Sequence, residues 1–216
     1  MLIDHFPVLG LRLRTPRLEL RFPAPDELSE LADLAVEGIH DPDVMPFGNP
    51  WTELPPDQLA RRVIQRHWTT LSELRPDSWA LNLAVFLDGA PVGVQEVEAD
   101  DFAIQRQVHS ESWLGRRYQG QGIGTEMRAA MLHLAFAGLG AEEAVSVGYV
   151  HNHASLRVSR KLGYAENGIG RGVSRGKLAV EQRFRLTRET WEQHRSIEVT
   201  IEGHEPCLPL LGAGKD

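Results

Sequence analysis

The sequence predicts an α/β (α+β) fold in which helices flank a mixed, mostly antiparallel central sheet. Two apolar runs separated by Asp88-Gly89 are typical of a β-hairpin. After residue 106, strand-like runs alternate with helix-like runs, which favours helices layered on a sheet. The 216 residues, of which 42% are hydrophobic and 25% charged, are enough for one globular domain with its own core.

Each element of the first half follows from a local pattern. Residues 11–22 alternate in polarity and predict a strand that is interrupted at Pro16. Ala24–Ile39 carries apolar residues at helical spacing, and a second helix starts at Pro55 and stops before Pro76. The other predicted elements are a Pro- and Asp-rich loop at 40–51 and the hairpin strands Trp79–Leu87 and Pro91–Ala99.

The second half predicts alternating strands and helices, followed by an extension. The segment Gly172–Gly176 fits the G-x-S-x-G pattern of serine hydrolases, but the strand-like run after it favours a glycine-rich hairpin. Residues 188–216 predict a short C-terminal helix–strand extension. The remaining elements are a strand at Gln107–Leu114, a glycine-rich turn at 115–124, a helix at Thr125–Phe136, a strand at Val145–Val150, a helix at Ala154–Lys161 and a strand at Val180–Leu186.

Charge is unevenly distributed along the chain, whose net charge is −7. Residues 1–105 carry a net −10, and residues 151–188 carry a net +7. The acidic total argues against a general nucleic-acid binder, which would be basic. The basic segment is compatible either with one anionic ligand or with a solvated strand face.

Several other classes of protein are disfavoured by composition. No run approaches the roughly 18 consecutive apolar residues of a transmembrane helix. The single cysteine, Cys207, cannot form an internal disulfide, and we therefore expect a cytoplasmic protein. His151 and His153 lie two residues apart with no cysteine companion, so we expect no metal site.

The most informative segment is a turn with glycines at alternate positions. Gly120, Gly122 and Gly124 lie between a predicted strand and a predicted helix. Glycines let a ligand approach the backbone closely, and the amide groups at a helix start attract phosphate. The third glycine comes too early for a dinucleotide-binding pattern, and no Gly-Lys-Ser/Thr is present for a Walker loop. The segment is therefore either another kind of phosphate site or a tight connection.

Two segments form a recognisable pair. The first is Gln119-Gly120-Gln121-Gly122-Ile123-Gly124, and the second runs from Asn152-His153-Ala154-Ser155 to Gly163-Tyr164. They resemble the acyl-CoA pyrophosphate loop, Gln/Arg-x-x-Gly-x-Gly/Ala, and the Asn-x-x-Ser/Ala segment of the GNAT superfamily of N-acyltransferases. The resemblance points to the ribosomal-protein N-terminal acetyltransferase branch and to bacterial relatives that use succinyl-CoA. It implies a GNAT domain at 14–187 and an extension at 188–216.

The resemblance implies transfer of an acetyl or succinyl group from CoA to a primary amine by direct attack. Acetyl-CoA or succinyl-CoA would be the co-substrate, and no metal would be needed. The acceptor would be a small molecule or a protein or peptide amine, without nucleic acid or membrane partners, while self-association stays open. The alternative is a non-catalytic module that only binds acyl-CoA. The resemblance assigns donor binding to Trp113, Leu114, Gln119, Gly120, Gln121, Gly122, Ile123, Gly124, Thr125 and Asn152. Arg160 and Lys161 are close enough in sequence to bind a CoA phosphate, and the alternative is that they are only solvated.

The resemblance implies one catalytic candidate, and strand parity gives a second. Ser155 would be the hydroxyl near the CoA sulfur, and its alternative role is to cap a helix. The tyrosine acid that many relatives carry four positions later is Ser159 here. Glu111 is the candidate general base: Glu111 and His109 share strand parity with Trp113, so all three could face the reacting centre. The pattern alone favours an ordinary strand role for both Glu111 and His109.

Charged side chains suggest how both substrates are recognised. By resemblance, the two helices joined by the loop His40–Trp51 border the acceptor groove. Asp41 and Asp43 of the loop would attract a cationic amine, and the alternative is that they are ordinary surface residues. An arginine, such as Arg106 or Arg117, would hold the carboxylate of a succinyl group.

Overall fold

The computed structural model describes residues 1–214, which form one sheet with helices on both faces. The strands are β1 Arg12–Arg14, β2 Leu18–Arg21, β3 Ser78–Leu87, β4 Ala90–Asp100, β5 Gln107–Leu114, β6 Glu143–Tyr149, β7 Ala165–Ser174, β8 Lys177–Thr187 and β9 Thr200–Glu202. The helices are α1 Leu2–His5, α2 Pro25–Glu37, α3 Pro56–Ser72, α4 Phe102–Gln105, α5 Ile123–His133, α6 His153–Lys161 and α7 Arg188–His194. Across the sheet the order is β7-β8-β6-β5-β4-β3-β2-β1-β9.

The sheet is antiparallel except at one pair of strands. β5 and β6 run parallel, and the connection between them contains α5. A parallel pair needs such a crossover, whereas β3 and β4 are joined by the tight turn Asp88-Gly89, with φ of 51° and 83°. The predicted mixed, mostly antiparallel sheet flanked by helices is confirmed.

Successive residues of the central strands enter two different clusters of buried side chains. Leu83 and Val85 of β3 belong to one cluster, while Ala84 and Phe86 belong to the other. This alternation follows from the pleat, which points neighbouring side chains to opposite faces. The first cluster includes the apolar residues of α5, and the second includes those of α2 and α3. The two helical layers therefore cover opposite faces of the sheet.

Most predicted elements differ by one or two residues from the structure, and in two of them the difference has a local cause. The helix expected at Thr125–Phe136 starts at Ile123, because Gly122 in a left-handed conformation caps it directly, and a π-helical turn at Leu134–Gly138 follows it. The strand expected at Val180–Leu186 extends over Lys177–Thr187, because a turn at Arg175 and Gly176 pairs it with β7. The glycine-rich segment is thus a hairpin, as expected.

The C-terminal helix and strand are present and join the main sheet. β9 pairs with β1, with Arg12 opposite Glu202. Further along, the carbonyl of Leu211 accepts a hydrogen bond from the indole of Trp79 at 2.9 Å. The extension therefore completes one edge of the sheet. No helix within residues 1–214 is both long and apolar enough to cross a bilayer.

Candidate active site at the gap between β5 and β6

The two parallel strands separate toward their carboxyl ends and leave a gap in the sheet. They pair at three successive positions, from Gln107 with Glu143 to His109 with Val145. Beyond these positions, β5 stays paired with β4 and β6 stays paired with β8. Each strand is thus held by its outer neighbour. The backbone edges that face the gap are therefore available to a ligand.

The glycine turn lies at the open end of this gap and presents main-chain N–H groups. Gly120 and Gly122 have φ of 74° and 80°, the left-handed region that favours glycine. Within residues 1–214, the N–H groups of Gln121–Gly124 donate to no other group, whereas those of Thr125 and Glu126 bond the carbonyl of Gly122. Free N–H groups at the start of an 11-residue helix suit a phosphate.

Two glutamine side chains support the glycine turn. Gln119 donates through Nε2 to the carbonyl of Leu114 at 2.9 Å, which ties the turn to the end of β5. Gln121 donates to the carbonyl of Arg117 at 2.7 Å. These side chains are therefore engaged with the protein backbone, while the N–H groups of the turn are left for a ligand.

Helix α6 forms the other wall of the gap. The side-chain oxygen of Asn152 accepts the N–H of Ser155 at 3.2 Å and so caps the helix. Asn152, and not Ser155, is therefore the residue that caps α6. The Ser155 hydroxyl points toward β6, where it lies 3.7 Å from the position that a Cβ would take at Gly148.

The two basic residues expected near a phosphate are placed differently. Arg160 forms an ion pair with Glu166 of β7 at 2.7 Å. Val158 lies 3.9 Å from the Cβ position of Gly124, so one face of α6 is turned to the glycine turn. Lys161 follows three residues later on that face and is exposed. The structure therefore directs Arg160 toward β7 and leaves Lys161 exposed near the end of α6.

On the other side of β5, a cavity of about 260 Å³ opens between the sheet and α3. Aromatic rings form one wall, with Trp51 5.3 Å from Phe47 and 6.3 Å from Trp113 between ring centroids. Glu111, Ser112 and Trp113 of β5 all line the cavity. Because the same stretch of β5 also borders the gap, the cavity and the gap meet at these residues.

Two carboxylates line the cavity, and their surroundings differ. Glu96 accepts hydrogen bonds from Arg66 Nε at 3.1 Å, from Arg66 Nη2 and from Asn82. No donor within residues 1–214 bonds the carboxylate of Glu111. The pKa of Glu111 is raised by desolvation from the surrounding groups and by the negative charges of Glu96 and Glu98, although the residue as a whole is exposed. A free carboxylate with a raised pKa is suited to act as a general base.

His109, which shares the parity of Glu111, is already engaged. Its Nδ1 lies 2.9 Å from Oε1 of Glu98. This hydrogen bond raises the pKa of His109 and lowers the pKa of Glu98. The pair is therefore stabilised in its charged form, and Glu111 is the better candidate for a base.

The loop between α2 and α3 contributes aromatic rings to the wall of the cavity. The two aspartates of this loop, Asp41 and Asp43, do not line the cavity. Asp41 and Asp43 are exposed, and Asp41 accepts the N–H of Asp43 at 3.0 Å. Arg175, at the tip of the β7–β8 hairpin, donates to the carbonyl of Pro42 at 2.8 Å and holds this loop down. The negative charge of the cavity comes from Glu96 and Glu111 on the strands, contrary to the expectation for the loop.

Neither arginine that was expected to hold a succinyl carboxylate lies in the gap. The Arg117 side chain is 56% exposed and forms an ion pair with Glu37. Arg106 precedes β5 at the end where the two parallel strands are still paired, and its guanidinium lies 5.4 Å from the ring centre of Phe102. The expectation for both residues is therefore corrected.

Among the cavity residues that the sequence analysis missed is a hydrogen-bonded group formed by Arg66, Asn82 and Glu96. They come from α3, β3 and β4, and no motif joins them. One signal would be the register of β4 with β5, which places Glu96 opposite Glu111. Like charges directly opposite one another are unfavourable, so such a pair requires a neighbouring cation, which Arg66 supplies.

A family model described as an acetyltransferase (GNAT) domain matches residues 17–165. The chain belongs to the GNAT acetyltransferase family. The match contains the glycine turn, the gap and α6, so the site lies within the family domain.

Solved structures of other GNAT proteins share this fold. RimJ of Mycobacterium smegmatis, in complex with CoA-disulfide, is 17% identical, with a TM-score of 0.68 over 85% of this chain and 90% of that chain. RimL, a ribosomal-protein α-N-acetyltransferase in complex with coenzyme A, is 19% identical, with a TM-score of 0.62 over 80% and 95%. MccE, a microcin self-immunity acetyltransferase in complex with acetyl-CoA and AMP, is 18% identical, with a TM-score of 0.62 over 80% and 93%.

Proposed function

We propose that this GNAT protein is an acyl-CoA-dependent N-acyltransferase that moves an acetyl or succinyl group to a primary amine by direct attack. The observation that carries the proposal is the gap between β5 and β6. It connects the free N–H groups of Gln121–Gly124 to a cavity that holds the unpaired carboxylate of Glu111. A donor and an acceptor bound on these two sides would meet at β5.

The donor would bind along the glycine turn and α6. The N–H groups of Gln121–Gly124 would hold the pyrophosphate of CoA, and Lys161 would add a positive charge. The amide of Asn152 and the unpaired strand edges would hold the pantetheine arm in the gap. The backbone of residues 112–114 would donate to the thioester oxygen, where negative charge develops during attack.

Glu111 would accept the proton of the attacking amine. A lysine amine of pKa about 10.4 is under ~0.1% neutral at pH 7, whereas an α-amine near pKa 8 is about 10% neutral. A raised pKa makes Glu111 a stronger base than an ordinary glutamate. An α-amine needs less help from this base than a lysine amine does, because more of it is already neutral at pH 7. The nitrogen forms a bond to the acyl carbon, the C–S bond breaks with its electron pair on sulfur, and one proton leaves the nitrogen for Glu111.

Ser155 would meet the leaving sulfur. Ser159 stands where related enzymes carry a tyrosine acid, so another donor is needed. Because Asn152 caps α6, the Ser155 hydroxyl is available on the side of the helix that faces β6. A hydrogen bond from this hydroxyl to the developing thiolate would lower the barrier to its departure.

The cavity suggests which amines are accepted. Its aromatic wall and its free carboxylate suit a cationic amine that is carried on an apolar group. A volume of about 260 Å³ accommodates the first residue of a peptide or a small amine. The structural similarity to RimJ and RimL supports a protein or peptide α-amine as the acceptor.

The test is the release of CoA thiol from acetyl-CoA and succinyl-CoA in the presence of a panel of amines. We expect turnover, with higher kcat/KM for peptides that offer only an α-amine than for N-terminally blocked peptides that offer only a lysine. Tight binding of acyl-CoA without turnover of any amine would contradict catalysis and favour the non-catalytic binding module.

A further inference from the structure

Arg128 of α5 is a buried cation that has no counter-charge among residues 1–214. The residue is 5% exposed, and its guanidinium donates to the hydroxyl of Ser159 at 2.9 Å and to that of Ser112 at 3.4 Å. Its Nε is buried and has no partner within residues 1–214, and no carboxylate among these residues pairs with it. Tyr164 does not supply negative charge, because burial raises its pKa to about 12 and keeps the phenol neutral.

An unpaired buried charge is among the most unfavourable features of a protein interior. Removing one partner of a buried ion pair is strongly destabilising, because the remaining charge keeps its desolvation penalty. Two serine hydroxyls satisfy only part of the guanidinium, since three of its five N–H groups remain available. The guanidinium of Arg128 would therefore be stabilised by an anion that binds from outside the protein.

The position of Arg128 identifies where this anion would come from. Its two hydrogen bonds connect Ser112 of β5 to Ser159 of α6, so the guanidinium lies across the gap. Ser159 is one helical turn from Ser155 on the same face of α6, and Ser112 also lines the acceptor cavity. The guanidinium is therefore close to the place where the acyl group would pass from donor to acceptor.

The phosphates of CoA are not the natural partner of this side chain. They are assigned to the N–H groups that end at Gly124, and Arg128 lies four residues further, about 6 Å along the helix axis. An anion carried by the acyl group itself would reach the gap. A carboxylate matches the planar fork of a guanidinium, which can bind both of its oxygens.

We propose that Arg128 binds the terminal carboxylate of a dicarboxylic acyl group, so that the preferred donor is an acyl-CoA of the succinyl type. This inference rests on the proposed acyltransferase function and names the residue that selects its donor. The carboxylate at the far end of the acyl chain takes no part in bond formation and serves to place the thioester in the gap.

The experiment measures the dissociation constants of acetyl-CoA and succinyl-CoA by calorimetry. We expect the wild-type protein to bind succinyl-CoA about 10- to 100-fold more tightly, as a charged hydrogen-bonded pair predicts. Arg128→Met should remove this preference, and the control Arg106→Met should retain it. Equal affinities in the wild type, or a preference that survives Arg128→Met, would overturn the inference.

The same titrations separate this inference from the proposed function. Binding of acetyl-CoA without a preference would overturn only the role of Arg128, whereas failure to bind either donor would overturn the acyltransferase proposal as well. Thermal unfolding reports on the fold of Arg128→Met, whose Tm should equal or exceed the wild-type value because an unpaired charge is removed. If that variant does not fold, Arg128→Lys retains the charge without the fork and should reduce the preference; an undiminished preference in Arg128→Lys would overturn the inference.

Discussion

The two sides of the gap are built in different ways. The donor side consists mainly of main-chain groups: left-handed glycines, free N–H groups at the start of α5 and the edges of two diverging strands. The acceptor side consists of side chains from α3, three strands and the preceding loop. A backbone site depends on conformation and tolerates many side chains, whereas a side-chain site depends on the identity of each residue.

This difference predicts how the two sides respond to substitution. On the donor side, changes of backbone conformation should weaken CoA binding. On the acceptor side, the exchange of one functional group should reduce the rate while CoA binding persists. The four predictions that follow test this contrast.

The largest expected effect is on the donor side, for Gly122→Val. Valine is strained at a φ of 80° and would displace the N–H groups that precede α5, so the Kd for CoA should rise about 100-fold or more. Calorimetry measures this effect. Gly140→Val is the matched control, because Gly140 has φ of 79° and no neighbour within 4 Å of its Cβ position. Similar losses of CoA binding in both variants would remove the special role of Gly122.

On the acceptor side, Glu111→Gln should lower kcat about 100-fold with little change in the Kd for CoA, since general base catalysis is typically of this size. Because a base must be deprotonated and the pKa of Glu111 is raised, the wild-type kcat/KM should fall as the pH decreases through a value above that of an ordinary glutamate. Glu111→Gln should lose this acidic limb, and Glu192→Gln on α7 should retain it. A normal rate in Glu111→Gln would show that another group or water accepts the proton.

A smaller effect is expected where the two sides meet, for Ser155→Ala. The hydroxyl would act on the thiolate that develops in the transition state, so kcat should fall about 10-fold while KM for the donor stays nearly constant. Steady-state kinetics with both substrates varied measures the two constants. The exposed Ser72→Ala is the control, and an unchanged kcat in Ser155→Ala would leave its hydroxyl without a catalytic role.

The smallest effect is expected for Asp41→Asn combined with Asp43→Asn. Both aspartates are exposed and lie outside the cavity wall, so only their long-range field would reach a cationic amine. We expect KM for the amine to rise less than about twofold, and the increase should disappear at high salt. A severalfold increase that persists at high salt would place these side chains in direct contact with the acceptor.

The same contrast explains what the sequence could predict. The glycine turn and α6 are continuous segments, so their motifs predict roles for Gly120, Gly122, Asn152 and Ser155 from the sequence alone. The proposal of Glu111 as the base rests on strand parity, which is also a local property. The pairing of Arg66 with Glu96 depends on how α3 packs on β4, and no local pattern carries that information.

Arg128 shows the same limit most clearly. In the sequence it is one residue of an amphipathic helix, and only the packing of α5 against β5 and α6 shows that it is buried beside Ser112 and Ser159. Arg106 and Arg117 lie close to β5 in the sequence, but proximity along the chain places neither guanidinium in the gap. Burial without a counter-charge is a property of the folded protein, and it distinguishes Arg128 from the exposed, paired Arg117.

The central claim is that donor and acceptor meet in the gap between β5 and β6. A crystal structure with a bisubstrate compound, in which a peptide α-amine is joined to CoA through an acetyl linker, tests it most directly. We predict that the pyrophosphate lies within hydrogen-bond distance of the N–H groups of Gln121–Gly124, that the linker passes through the gap beside Ser155, and that the amine nitrogen lies next to Glu111. A pyrophosphate bound away from the glycine turn, or a linker that reaches the peptide without entering the gap, would contradict the account.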